Sequence, residues 1–415
     1  MRKGTVRSRL WTTAVAALAV VGGLTMAATA NAGGLYIYEY GGPSMGTASA
    51  GRTARARDAS TAIHNPAGMT RLDDHQLMLA VAPGYGSIEF EPADDTPVPG
   101  KGGGNQGGFV PVMSGSYVHK ISDRWRFGVG LLSVSGAILD PDNRWVGRNQ
   151  VTNLSLFTIS ALPSIAYRVN DWLSVGAGAL LTYGKLDWDL QAPTNLGKIK
   201  IDDADDFEPA AVASLQLEPT NDLRIGFVYH SKVDLKLDGD IKLPVGVQAS
   251  LGLGIPLVQN ARIGLYWQAS DRLAWLAGVG WEDWSDMSKI PVSVERGSVS
   301  ISSGFKDTWS GSAGMHFRLT DVWLFQFGLR YDTSVVDKKD RIAALPIDRQ
   351  IRIGTGLIYD YSPHTQMSFS FTYVNLGDSD LDNASVKGKY DPNSLFFAGF
   401  SVNWKKLPWS GKATL

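Results

Sequence analysis

The stretch Thr320-Asp321-Val322-Trp323-Leu324-Phe325-Gln326-Phe327-Gly328-Leu329-Arg330-Tyr331 is a short polar turn followed by strict alternation. Side chains of an extended strand point to opposite faces with period two. Trp323, Phe325, Phe327, Leu329 and Tyr331 therefore share one face, and Leu324, Gln326, Gly328 and Arg330 share the other. The same opening recurs at Ser122-Asp123-Arg124-Trp125, Asn170-Asp171-Trp172, Asn221-Asp222-Leu223 and Ser270-Asp271-Arg272-Leu273. Successive Asp positions lie 48, 51, 49 and 50 residues apart. Such a repeat holds two strands of about 12 residues, one tight turn and one long loop. Short turns at one end and long loops at the other describe a membrane β-barrel.

Other strands read the same way. Leu223, Ile225, Phe227 and Tyr229 oppose Arg224, Gly226, Val228 and His230. Ile351, Ile353, Leu357 and Tyr359 oppose Arg352, Gly354 and Gly356. An Arg facing lipid near the bilayer centre costs about 2–4 kcal/mol, so the Arg-bearing faces belong to the lumen. Trp125, Trp172, Trp323, Tyr331 and Tyr359 near strand ends fit interfacial aromatic girdles. A soluble sandwich would instead carry polar residues on its outer face.

Between residues 74 and 405 the alternation predicts 14 strands, at 75–90, 108–120, 125–136, 151–169, 172–190, 207–218, 223–237, 246–268, 273–286, 304–319, 322–336, 348–360, 366–377 and 394–405. In the eighth, Gly252, Gly254 and Pro256 suggest a loop that turns into a strand. The even count returns both ends to one side of the membrane. Residues 406–415 form a short tail. The expected fold class is all-β, a transmembrane antiparallel β-barrel of about 14 strands with an amino-terminal plug.

Residues 1–32 read as an export signal. Arg2, Lys3, Arg7 and Arg9 precede an apolar, small-residue run, and Ala30-Asn31-Ala32 offers a cleavage site. Past that point no apolar stretch is long enough for a membrane helix. The chain has no Cys, which removes disulfides, thiolate metal sites and Cys nucleophiles. Losing the four leader cations leaves 35 basic against 40 acidic residues, and no basic block suggests a nucleic-acid partner. None of the six His sits in a Ser/His/Asp motif. No catalytic residue, metal or cofactor is expected, and the chain does not read as an enzyme. A lipid-acting barrel enzyme and an open porin are the rival readings.

Residues 33–73, rich in Gly, Ala, Ser and Thr, lack period-two alternation. Leu35, Tyr36, Ile37, Tyr38 and Tyr40 make them too apolar for a solvated tail. Eight strands fill their own lumen and 16–18 leave a channel. A lumen of 14 leaks unless something fills it, and this segment has the size to do so.

Tyr38-Glu39-Tyr40, Gly46, Gly51, Asp58-Ala59-Ser60-Thr61 and Asn65-Pro66-Ala67-Gly68-Met69 resemble the amino-terminal hatch of the FadL/TodX family of outer-membrane transporters for long-chain fatty acids and hydrocarbons. Trp281-Glu282-Asp283-Trp284-Ser285, Phe305-Lys306-Asp307-Thr308-Trp309 and Leu345-Pro346-Ile347-Asp348-Arg349 extend the similarity over the mature chain. The resemblance implies a monomer in a Gram-negative outer membrane, surrounded by lipid, with a hydrophobic small-molecule ligand. It implies loop capture, an apolar pocket, and sideways release beside a kinked third strand. Gly128, Gly130 and Gly136 would serve that opening, or else simply make room for the plug. Gly33, Leu35, Tyr36 and Tyr38 would reach the ligand, and Asn65, Pro66 and Ala67 would belong to the gating hatch. Arg52, Arg55 and Arg57 are candidate partners for a fatty-acid carboxylate. Asp58 and His64 could pair as a gate or only solvate a loop. The chain ends Lys412-Ala413-Thr414-Leu415, without the terminal aromatic common in such barrels, so the last strand is expected to finish near Trp404.

Overall fold

The computed structural model describes residues 36–133, 136–192, 197–244, 247–294 and 297–406. The expected export signal, Gly33, Leu35 and all of the tail after Lys406 lie outside these residues. Within them the chain closes as a 14-stranded antiparallel barrel. Strand 1 runs Gln76–Val81 and Gly84–Pro92, strand 2 Phe109–Val110 and Met113–Lys120, and strand 3 Trp125–Leu132 and Gly136–Leu139. Strands 4, 5 and 6 are Asn153–Arg168, Leu173–Gln191 and Lys198–Thr220. Strand 7 is Leu223–His230 and Lys236–Leu243, and strand 8 is Val247–Gly254 and Asn260–Gln268. Strand 9 is Leu273–Glu282 and Lys289–Val294, and strand 10 is Gly297–Ser302 and Thr308–Arg318. Strands 11 to 14 are Trp323–Asp332, Gln350–Ser362, Thr365–Asn375 and Lys387–Trp404. Strand 14 closes on strand 1 from Leu77↔Trp404 to Val81↔Phe400.

The expected faces are the observed ones. On strand 11, Leu324, Gln326, Gly328, Arg330 and Asp332 are buried, while Phe327, Leu329 and Tyr331 are exposed on the outer wall. Arg224 and Arg352 likewise face inward and are buried. Trp323 stacks on Tyr359 across strands 11 and 12 with ring centres 4.4 Å apart, and Trp125 packs on Tyr167 at 4.6 Å. Both pairs lie beside tight turns, where amphipathic rings suit the lipid–water boundary.

Several strands exceed their expected lengths at the loop end. Strand 6 begins at Lys198 rather than 207, and its first turn of sequence is dense in Asp. Alternation fails as a signal there because a bulge at Asp203 shifts the register, so that Ile201 and Ala204, three residues apart, are both buried. Strand 5, of 19 residues, and strand 6, of 23, are about twice what the hydrocarbon layer needs. Strand 14 starts at Lys387, before the expected 394. Strand 8 is broken at Ile255–Gln259, where Pro256 cannot donate to a ladder.

The segment ahead of strand 1 folds as four short turns: 3₁₀ helices Pro43–Thr47 and Pro66–Arg71, and α-helical turns Arg52–Arg55 and Thr61–His64. Almost all of it is buried against inward-facing wall residues. Contact is backbone to backbone. A Cβ placed on Gly226 would stand 1.9 Å from the Thr53 carbonyl oxygen, and one on Gly328 would stand 2.1 Å from that of Thr47. Gly354 and Gly176 meet Met45 and Ala67 in the same way. Side chains at these wall positions would push the segment off its seat.

Gly328→Val is therefore expected to displace the turn around Thr47. Overpacking of this kind costs about 1–3 kcal/mol. Planar-bilayer recordings should show larger and more frequent ion currents than the parent protein, while heat-modifiable migration of the folded barrel is retained.

Candidate functional site

The leading segment is held from two sides. On one, Tyr38 sits inside a ring of cations. The guanidinium carbons of Arg330, Arg52, Arg352 and Arg262 lie 4.0, 4.7, 4.8 and 5.4 Å from its ring centre. Three carboxylates answer them. Arg262 bonds Glu282 at 2.9 Å, Arg330 bonds Asp332 at 2.6 Å, and Arg352 bonds Glu39 at 3.1 Å as well as Asp332. The Tyr38 hydroxyl donates to Glu282, and the Trp284 indole donates to the other oxygen of that carboxylate at 2.8 Å. All of these carboxylates are buried, so each charge depends on its partners. Cations over aromatic faces add further attraction. Arg52 has no carboxylate partner among the described residues and spans the Tyr38 and Tyr40 rings.

On the other side, Asn65 ties the segment to strand 6. Its side-chain amide donates to the Thr53 carbonyl at 2.6 Å, the Leu215 carbonyl at 3.0 Å and Gln216 at 3.0 Å. Its oxygen accepts from the Ala67 amide at 3.1 Å, and that amide also meets Ser214. Pro66 opens the following 3₁₀ turn, where a missing N–H costs nothing. These three residues, expected in the gating hatch, anchor the leading segment away from the cavity described next. Tyr38, expected to reach the ligand, does not line that cavity, and its ring is enclosed by the arginines.

An apolar cavity of about 230 Å³ lies above the segment. Tyr36, Ile37 and Glu39 form its floor, and Leu156, Leu345, Pro346, Leu395 and Phe397 supply much of its wall. Tyr36 is fixed by its hydroxyl, which donates to the Val258 carbonyl at 2.5 Å, and by edge contact with Trp284. The polar lining groups Glu39 and Arg352 already neutralise one another. Ile37 falls within the 33–38 stretch expected to reach the ligand, whereas the Leu345–Ile347 loop was not singled out as lining from sequence. No periodic signal marks a loop that folds back over the lumen.

Beside this cavity the ladder between strands 2 and 3 is interrupted among the described residues. Strands 2 and 3 pair from Lys120↔Arg126 up to Gly115↔Leu131. Above that, Gly136–Leu139 pairs only with strand 4 among the described residues. The shift from Leu132↔Ser160 to Gly136↔Phe157 places one extra residue on strand 3. Pro111, opposite on strand 2, has no N–H to give. The amide of Asp140 bonds the Gln106 carbonyl at 2.9 Å, so strands rejoin above. The result is an interruption of this seam among the described residues. Its cavity-lining residues include Ile138 and Phe157, both exposed on the outer wall. Gly136 stands at the interruption. Gly128 and Gly130 do not: their ladders are unbroken, and added Cβ atoms would strike Met69 and Ile63 of the leading segment. Of the two alternatives left open for them, this geometry is the one in which they make room for that segment.

The remaining candidates separate cleanly. Arg55 pairs with Asp58 at 2.5 Å, and Asp58 also accepts from Ser60. Burial alone would raise the Asp58 carboxyl, but Arg55 and Ser60 hold it below its ordinary value. His64 bonds Ser44 at 3.2 Å rather than Asp58. Burial, and then the Arg52 cation, hold its ring well below the usual range, so it is neutral at pH 7. The pair is not a gate in this geometry. Arg57 is exposed at the tight-turn end.

Residues 23–398 match the family described as outer membrane protein transport protein (OMPP1/FadL/TodX). The chain belongs to this family. FadL/TodX relatives include the 47 kDa outer membrane protein of Pasteurella multocida, 26% identical, with 94% of this chain and 96% of the relative covered. The long-chain fatty acid transport protein of Escherichia coli O6:H1 is 23% identical, covering 82% and 86%. Among solved structures, a Pseudomonas aeruginosa FadL homologue superposes with a TM-score of 0.80 at 21% identity, covering 90% of this chain and 100% of that one. The Pseudomonas putida toluene transporter TodX gives 0.66 at 14%, covering 90% and 98%. As a FadL/TodX member the chain is a Gram-negative outer-membrane protein of a transport family rather than of an enzyme family.

Asn65→Ala removes one donor group that serves the Thr53 and Leu215 carbonyls and the Gln216 side chain. Each orphaned group costs about 1–3 kcal/mol. The leading segment of this variant is expected to become cleavable by trypsin at lower urea than the parent, with the barrel still protease-resistant.

Proposed function

We propose that the protein passes small hydrophobic molecules, long-chain fatty acids or hydrocarbons, across the outer membrane without an energy source. Ligand is captured among the long loops, rests in the apolar cavity, and leaves sideways into lipid at the interruption between strands 2 and 3. The leading segment is the plug that keeps the lumen closed to ions, with Tyr36 and Ile37 as the floor on which ligand sits. The protein acts as a monomer and engages lipid but not nucleic acid. One observation carries this reading: the cavity runs from the plug's floor to outward-facing side chains at the interruption between strands 2 and 3.

Magnitudes agree. A 150 Å³ apolar cavity takes up benzene, so about 230 Å³ accepts an alkylbenzene or part of an acyl chain. Eight buried CH₂ groups contribute roughly 6 kcal/mol before ordering costs. A fatty acid also needs a home for its carboxylate. Arg52, which lacks an acidic partner, lines a small neighbouring pocket that shares Tyr36 with the cavity.

The test is uptake of radiolabelled toluene and oleate by Gram-negative cells that express the chain and lack other such transporters. Ala137→Trp, which fills the strand 3 side of the cavity, should slow both at least tenfold at equal surface expression. Arg52→Gln should slow oleate alone. Parent cells that accumulate neither compound faster than empty cells would overturn the reading.

A further inference from the structure

The tight-turn end of the barrel, which faces the periplasm in outer-membrane barrels, holds a second cavity of about 570 Å³ beneath the plug. Its character is opposite to the first. Arg57, Arg71, Arg224, Arg272, Arg318 and Lys405 all border it. Three carboxylates, Asp73, Asp222 and Asp271, also border it, but each is exposed at the rim. Arg71 is taken by Glu218, and Lys405 by Asp360.

Arg224 is different. Its side chain is 95% buried, being 5% exposed, on an inward-facing position of strand 7. No carboxylate pairs with it and no acceptor meets its Nε among the described residues. Its guanidinium lies 3.9 Å from the centre of the Tyr266 ring, and Arg57 covers the same ring at 5.4 Å. Tyr266 also takes the edge of His316, whose Nδ1 is buried without a partner among the described residues. The ring therefore fixes two cations beside one cavity and donates its own hydroxyl elsewhere, to Gln268 at 2.8 Å. An unpaired buried charge is expensive, and an aromatic face offsets only part of that cost.

We propose that this periplasmic vestibule binds an oxyanion, a carboxylate or phosphate, between Arg224 and Arg57. A planar guanidinium presents paired N–H donors that match two oxygens of such a group. Arg224 supplies the buried, oriented donors, and Arg57 closes from the solvent side. The ligand comes either from solution or from the headgroup of an anionic lipid at the barrel rim. The site is separate from the apolar cavity and does not require that hydrocarbon be the cargo.

The experiment uses the full mature chain in an uncharged maltoside at low salt. Inorganic phosphate and acetate are titrated by calorimetry, and the measurement is repeated in nanodiscs with and without phosphatidylglycerol. Saturable binding is expected, weakened at least tenfold in Arg224→Gln and several-fold in Arg57→Gln, with toluene uptake unchanged in both. Binding of phosphate or acetate in maltoside identifies a soluble ligand. Displacement of these ions only by phosphatidylglycerol discs identifies the headgroup. Absence of saturable binding in every setting overturns the proposal, as does equal affinity in folded Arg224→Gln and the parent. Should Arg224→Gln fail to fold, unaltered affinity in Arg57→Gln, which changes an exposed side chain, overturns it instead.

Discussion

Hydrocarbon offers the backbone no hydrogen bonds, so every N–H and C=O that crosses the bilayer must find a partner in the next strand. The closure from Leu77↔Trp404 to Val81↔Phe400 satisfies that demand by leaving no edge. Everything else follows from a closed wall. Alternation divides side chains into a greasy exterior and an interior that can hold Arg224, Arg330 and Arg352. The interior then has to be filled, and the residues before strand 1 fill it by backbone contact on wall glycines.

The filling is polar where a soluble core would be oily. Seven charged side chains gather around Tyr38 and Glu282, four from Arg and three from acids. Such networks contribute less to stability than apolar packing would, and they are intolerant of losing a member. That intolerance fixes the height and orientation of Tyr36 and Ile37, which lie two residues at most from the network's centre. The floor of the apolar cavity is thus positioned by charge. Beside it the pairing of strands 2 and 3 is interrupted among the described residues, where strand 3 carries an extra residue and strand 2 carries Pro111.

The barrel was legible in the sequence because its signal is periodic and local. Strand 11 shows Phe327 and Leu329 outside and Arg330 inside, as alternation demands. Strand 5 runs as its alternation predicts, but the extension of strand 6 back to Lys198 was not legible, since the acidic run Asp202 to Asp206 reads as loop. Site residues fared according to how far their partners lie in sequence. Asn65 looked like a ligand-gate residue, yet its partners are Thr53, Leu215 and Gln216. Gly128 and Gly130 suggested a kink, but the reason for them is Met69 and Ile63 across the lumen. Apart from Thr53, these partners lie about 60 to 150 residues away in sequence and leave no local trace.

Under the proposed sideways release, the height of the interruption between strands 2 and 3 has a consequence for what becomes of a released molecule. Leu131, the last paired residue below it, is seven positions from Arg124 in the tight turn. At about 3.3 Å per residue and a 45° tilt, that is roughly 16 Å up from the turn end. A solute leaving there enters the leaflet nearer the loops, with half of the bilayer still ahead of it. The remaining distance is covered by simple partitioning, so oil solubility, and for an acid the neutral fraction, governs how fast the interior is reached.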